Sequence, residues 1–200
     1  MVTATRSYSQ RQRAESTAAT RRAILDAAIS LFRDEHELDP PLEWVAERAG
    51  CSTRSVIRHF GSKEQLIEAA IEDAIGAVAA SRQVAPGDIA GAVCAVVAHY
   101  ESMGDEVIQM LASAERYPLL RRVTELGERM HREWAREAFG PALGGLSSPE
   151  RRRRLATATT LTDVYVWQLL RRREGLGRAM TEATIRALVE TALRGEEPAA

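Results

Sequence analysis

Two glycines and two serines punctuate the stretch "AERAGCSTRSVIRHFGSKEQL", residues 46–66, and leave it little choice of fold. Gly50 suits the left-handed position that ends one helix. Ser52 then caps the next, with Cys51 and Val56 at the positions of a hydrophobic staple. Gly61 ends that helix in turn. Ser62, followed three residues on by Gln65, forms a capping box for another, running from Lys63 to about Arg82. The middle helix is barely two turns long. Ala49, Val56 and Phe60 are placed to pack inward, which leaves Thr53, Arg54, Ser55, Ile57, Arg58 and His59 facing out or partly out.

The rest of the chain extends this pattern. Helical periodicity recurs nearly throughout and no convincing strand alternation occurs, so the fold class is all-α. Residues 1–19, rich in Ser, Thr, Gln and Arg, read as a flexible arm. A first helix over about Thr20–Glu35 carries Ile24, Leu25, Ala28, Leu31 and Phe32 at three- and four-residue spacing. In "LDPPLEWVAERAG", Asp39 reads as the N-cap of a second helix, with Pro40 or Pro41 in its first turn. "QVAPGD" is a break. Five helical blocks follow, at about 87–102, 105–115, 118–139, 148–173 and 178–194.

A helix presented in this way suits the major groove of B-DNA, where residues near its N-terminus reach base edges. Arg donates bidentately to guanine, and Ser and Thr serve bases or phosphates. The candidate DNA-reading residues are therefore Ser52, Thr53, Arg54, Ser55, Ile57, Arg58 and His59. Lys63 joins them as a phosphate contact. It is the single lysine among 27 basic residues, and it stands in the first turn of a helix, where the N-terminal partial charge favours an anion. The net charge of −1 supplies no global basic field, so any DNA binding rests on local arrangement. A solvated helical hairpin is the alternative reading of the same spacing.

Two later blocks point to other roles. Between Leu155 and Leu170 the only charge is Asp163. A helix apolar nearly all round needs cover on most faces, and a second subunit supplies it. With the last helix it predicts a four-helix interface in a homodimer, through Leu161, Val164, Leu188, Val189 and Ala192. "DIAGAVCAVVAHYESM" is rich in small residues and ends in polar and sulfur groups. It suggests a cavity for an apolar or amphipathic small-molecule effector, held among His99, Tyr100, Met103, Met110, Met130, Trp134 and Trp167. A tight helix–helix contact with a satisfied histidine is the alternative.

Other classes find no support. Cys51 and Cys94 show no metal or disulfide spacing, and the four histidines lie on separate segments. No catalytic constellation or phosphate loop stands out, so the expectation is a non-enzyme without metal or cofactor. The N-terminal run lacks the apolar core of a signal peptide, and the longest uncharged run, Ile89–Tyr100, is too short to span a bilayer. A cytoplasmic protein that does not enter the membrane is expected.

The combination "RRAILDAAISLF", "VAERAG", Ser52, "RHF" at 58–60 and "SKEQL" at 62–66 resembles the TetR family of transcriptional regulators, most specifically over residues 21–70. "DVYVWQLLRRREGLGR" is similar to a variant of the family's dimerisation region. The resemblance implies nine helices. Three of them bind double-stranded operator DNA, within residues 20–66. Residues 67–200 would hold the effector pocket and dimer interface. It also implies a repressor released from a near-palindromic operator by its effector. The chain departs from the family pattern at His36, Glu37, Pro40, Pro41 and Arg54, and most consequentially at Ile57, where the family usually has a phosphate-bonding Tyr. The alternative function is an all-helical carrier or interaction protein whose helix-turn-helix no longer reads DNA.

Overall fold

The computed structural model describes residues 3–35, 37 and 39–195, and these hold nine α-helices and no strand. The chain divides into two compact units, one through residue 76 and one from residue 77.

The first unit contains α1 (Thr3–Glu35), α2 (Leu42–Arg48), α3 (Thr53–Phe60) and the first part of α4 (Lys63–Ser81). Helix α1 runs through the segment expected to be a flexible arm. No Gly or Pro occurs before residue 40, and the run is dense in Arg, Gln, Glu and Ala, so nothing there terminates a helix. Ile24, Leu25, Ala27, Ala28 and Leu31 of α1 form one wall of the core. Val45 and Ala46 of α2, Val56 and Phe60 of α3, and Leu66 and Ala70 of α4 close it. The last pair explains why the units divide within α4 rather than at its start, at 66–67: its first turns belong to this core.

The caps follow the serines. Ser55 N–H donates to Ser52 Oγ at 3.2 Å, and Gln65 N–H donates to Ser62 Oγ at 3.2 Å. Gly50 and Gly61 have φ of 64° and 85°, a region where a Cβ is strained. Asp39 does not cap α2. Pro41 occupies that position without a side-chain bond.

The second unit contains α5 (Ile89–Ser113), α6 (Pro118–Phe139), α7 (Ser148–Leu161), α8 (Val164–Gln168) and α9 (Arg178–Arg194). Asp88 caps α5 through the Gly91 N–H at 2.8 Å. The two blocks expected at 87–102 and 105–115 form this one helix, kinked at Met103 (φ −153°, ψ 17°). The opposite happens at 148–173, expected to be continuous. Thr157, Thr159, Thr160 and Thr162 each bond the carbonyl four residues back, a habit that weakens and bends helices. Asp163 then accepts the Tyr165 N–H at 2.9 Å and caps α8 as a new helix. A π-helical turn, Leu169–Arg173, follows.

Trp167 locks α8 onto α5. It is fully buried, and its indole N–H donates to Glu101 Oε1 at 2.8 Å. Arg171 binds both Glu101 oxygens at 2.6 and 2.9 Å, and Arg172 lies 4.8 Å over the indole. The ring fits because position 104 is glycine: a Cβ there would run into it. Gly104→Ala is therefore expected to destabilise the protein. Overpacking costs about 1–3 kcal/mol, whereas the gain in helix propensity returns only about 1. Gly127→Ala, on α6 with nothing near the added methyl, should instead stabilise by up to about 1 kcal/mol. Denaturant midpoints of the two variants should shift in opposite directions.

Candidate functional site

Helix α3 is held from beneath. Val56 is fully buried and Phe60 nearly so, with the Arg21 guanidinium 4.7 Å over the Phe60 ring. Burying two such side chains contributes about 1.5–3 kcal/mol each, enough to pin eight residues. Their burial turns Arg54, Ile57 and Arg58 outward, with Thr53, Ser55 and His59 half-buried beside them. Arg58 Nη2 donates to Ser55 Oγ at 3.2 Å, which ties two of the candidates together. Ile57 remains 39% exposed, so it does not pack inward. Trp44 on α2 is 47% exposed in the same unit. Sequence reasoning passed over it. The only signal was a large aromatic beside Val45 and Ala46, which both turn inward.

Lys63 is not waiting for an anion. Its Nζ pairs with Asp39 Oδ1 at 2.7 Å and donates to the Asp39 carbonyl at 3.0 Å. The aspartate expected to cap α2 does not do so, and pairs instead with the lysine expected to contact a phosphate. The pair joins the loop before α2 to the start of α4, a contact across 24 residues that local sequence does not announce.

In the second unit the seven residues assigned to an effector divide. Tyr100 and Trp167 belong to the unit's core, their ring centroids 6.0 Å apart. Trp134 packs against that core. Their polar ends are taken by the protein. Tyr100 donates to the Thr162 carbonyl at 3.2 Å, Trp167 to Glu101, and Trp134 to the Arg82 carbonyl at 2.9 Å. Tyr100, Trp134 and Trp167 thus have their polar ends satisfied within the protein, and Tyr100 and Trp167 form part of its core. His99 lies 5.4 Å from Tyr100, centroid to centroid; Met103, Met110 and Met130 are half-buried.

Two residues absent from that assignment complete the cluster. His131 stacks on Trp134 at 5.4 Å, and its Nε2 lies 3.1 Å from the Thr159 carbonyl. Arg82, just past α4, is buried, with its guanidinium carbon 5.0 Å over the Tyr100 ring and 5.8 Å over that of Trp134. Its position beside a predicted helix end gave no hint of burial.

The interface residues divide too. Val164 and Val189 are buried within the chain's own core, so they cannot face a partner. Leu161 and Ala192 are half-buried, and Leu188 is exposed. The large apolar side chains left exposed here are Tyr165, Leu169, Met180 and Leu188. Hydropathy marks α8 and α9 as apolar without saying which face the chain covers itself.

The first unit holds a helix-turn-helix and the second is all-helical, the architecture expected of a DNA-binding regulator. Residues 24–70 match the sequence model of the bacterial regulatory proteins of the tetR family. None of the curated proteins matches the chain. Among solved structures, a chain from Streptomyces coelicolor A3(2) described as a transcriptional regulator is 26% identical. The alignment covers 85% of this chain and 98% of that one, with a TM-score of 0.54. A transcriptional regulator from Rhodococcus sp. Rha1 is 19% identical over 92% of this chain and 100% of its own, with a TM-score of 0.57. A chain from Mesorhizobium loti MAFF303099 described as a TetR-family regulator is 20% identical, covering 90% and 97%, with a TM-score of 0.54. Residues 24–70 thus match the DNA-binding segment of the TetR family, and the fold of the whole chain is similar to that of these transcriptional regulators. Among the described residues no helix is long and apolar enough to cross a membrane, and no group of three His, Cys, Asp or Glu is placed to hold a metal ion.

The buried His131 and half-buried His99 set a pH response. Burial, with Arg82 and His131 adding to it, pushes His99 down to about 3, and burial lowers His131 as well. Both are neutral in the folded chain, while the unfolded chain protonates them below about 6.5. The unfolded state then binds more protons, so stability falls as pH drops from about 6.5. Glu101 and Glu150, held near 2 chiefly by hydrogen bonds from Arg171 and from Arg153, lose their contribution only from about 4.5 downward. The melting temperature should therefore fall between pH 6.5 and 5, and His99→Gln should flatten that fall. A wild-type melting temperature constant across this window would contradict the assignment.

Proposed function

We propose that the protein is a dimeric repressor that leaves its operator when a small molecule binds the second unit. One observation carries the DNA-reading half: a two-turn helix pinned by Val56 and Phe60 turns Arg54, Ile57 and Arg58 to solvent. These are a fork that matches guanine, an aliphatic side chain that suits a thymine methyl, and a second cation. The exposure of Ile57 supports base contact and disfavours the carrier reading, which rested on its having lost the tyrosine's role. Ser52, Thr53, Ser55 and His59 complete the surface. Lys63 acts with them only by exchanging Asp39 for a phosphate.

A fluorescence-anisotropy titration against duplexes from the protein's own promoter region tests this. Arg54→Ala should cost about 1–3 kcal/mol on the specific site and relax the preference at one base pair. Equal loss on random DNA would make Arg54 a phosphate contact.

Dimerisation rests on the exposed apolar side chains of α8, its following turn and α9. A two-fold dimer would address half-sites of a near-palindrome roughly 34–36 Å apart. Leu188→Glu should yield monomers that have lost operator binding and keep their helical content. By contrast, charge at the buried Val164 should unfold the unit. Sedimentation of Leu188→Glu as a dimer would remove α9 from the interface.

A further inference from the structure

The least settled group in the second unit is the Arg82 guanidinium. Arg82 is 7% exposed, and its Nε is buried with no hydrogen-bond partner. Nη1 faces His131 Nδ1 at 3.5 Å. The His131 Nε2 faces the Thr159 carbonyl, which fixes its proton there and leaves Nδ1 as a neutral acceptor. Trp134 offers its ring face, and Tyr100 its ring face with a hydroxyl that interacts with the guanidinium, while Nε stays unpartnered. Among the described residues no carboxylate pairs with it. The nearby acids are committed elsewhere, Glu101 to Arg171 and Trp167, and Asp163 to the cap of α8.

Such an arrangement is expensive. A buried cation without an anion costs several kcal/mol. The end of α4 just before it returns at most about 2, and the aromatic faces about 2 more when desolvated. A residue that only filled space here would serve better as Met or Leu. We propose that Arg82 is the anchor of an effector carboxylate, with Tyr100, Trp134, His99 and His131 around an organic monoanion of apolar or aromatic body. The proposal rests on the reading that the second unit binds an effector, and it narrows that effector from apolar to anionic. Charge selects a monoanion: there is one cation, and His99 and His131 are neutral. A phosphate dianion would leave net negative charge among buried aromatic rings. Planar geometry agrees, since a guanidinium fork matches a carboxylate bidentately and Nε is half of one such fork.

The test uses the full chain and two matched probe series, octanoate, decanoate and phenylacetate against their primary amides. Melting temperature and tryptophan fluorescence are read on wild type, Arg82→Met and Arg82→Lys. The acids should raise the wild-type melting temperature and perturb tryptophan emission, and the amides should do neither. Arg82→Met should bind the acids roughly thirtyfold or more weakly, the usual loss when one side of a buried charge pair is removed. Arg82→Lys should retain part of the affinity. Without ligand, Arg82→Met should melt at or above wild type, because the unpaired charge is gone. A lower melting temperature for ligand-free Arg82→Met, or acids that bind no better than amides, would overturn the anion site. Acids and amides that bind equally, and equally to Arg82→Met, would leave the effector reading standing. Neither series binding would overturn the site. An acid bound through Arg82 that leaves DNA affinity unchanged would uphold the site and sink its regulatory role.

Discussion

The burial of Val56 and Phe60 is the constraint from which the DNA-facing surface follows. A helix of eight residues has no stability of its own, because nucleation outweighs the few bonds it makes. It exists because these two side chains enter a core built by α1, α2 and α4. Ser52 and Gly61 close its ends so that little backbone is left unpaired. Once the inner face is assigned, the helical period assigns the outer one, and Arg54, Ile57 and Arg58 have nowhere else to point.

The second unit solves a different problem. Its core is assembled around large aromatic rings, and three of them, Tyr100, Trp134 and Trp167, carry a polar atom that needs a partner. Tyr100 and Trp134 find backbone carbonyls, and Trp167 finds Glu101. Fitting the Trp167 ring requires glycine at 104, and the helix kinks at the neighbouring Met103. Two of the arginines at 171–173 look like simple helix-end charges in the sequence. In the fold they close the cluster by holding Glu101 and Asp105. Arg82 alone is drawn into this cluster without a compensating acid, and so a packing problem becomes a question about ligands.

Much of the local architecture was readable directly. The Gly50–Ser52 and Gly61–Ser62 pairs announced α3 and α4 because left-handed backbone and N-caps each demand few residue types. The spans of α6 and α9 followed from Pro118, the break at 174–177 and steady apolar spacing. The misreadings were of another kind. The arm at 1–19 was judged by composition, when absence of helix breakers mattered more. Asp163 was read as a lone charge in an apolar run, although aspartate after a row of threonines is also a helix start.

The sequence by itself determined the helical class, the caps and the outward donors of α3, because these depend on residues within a turn of one another. Only the tertiary structure decided three other matters: that Val164 and Val189 face inward while Leu188 stays out, that Asp39 neutralises Lys63, and that Arg82 is buried beside His131. Each depends on segments far apart in the chain, and hydropathy records that a residue prefers burial but not which neighbour buries it.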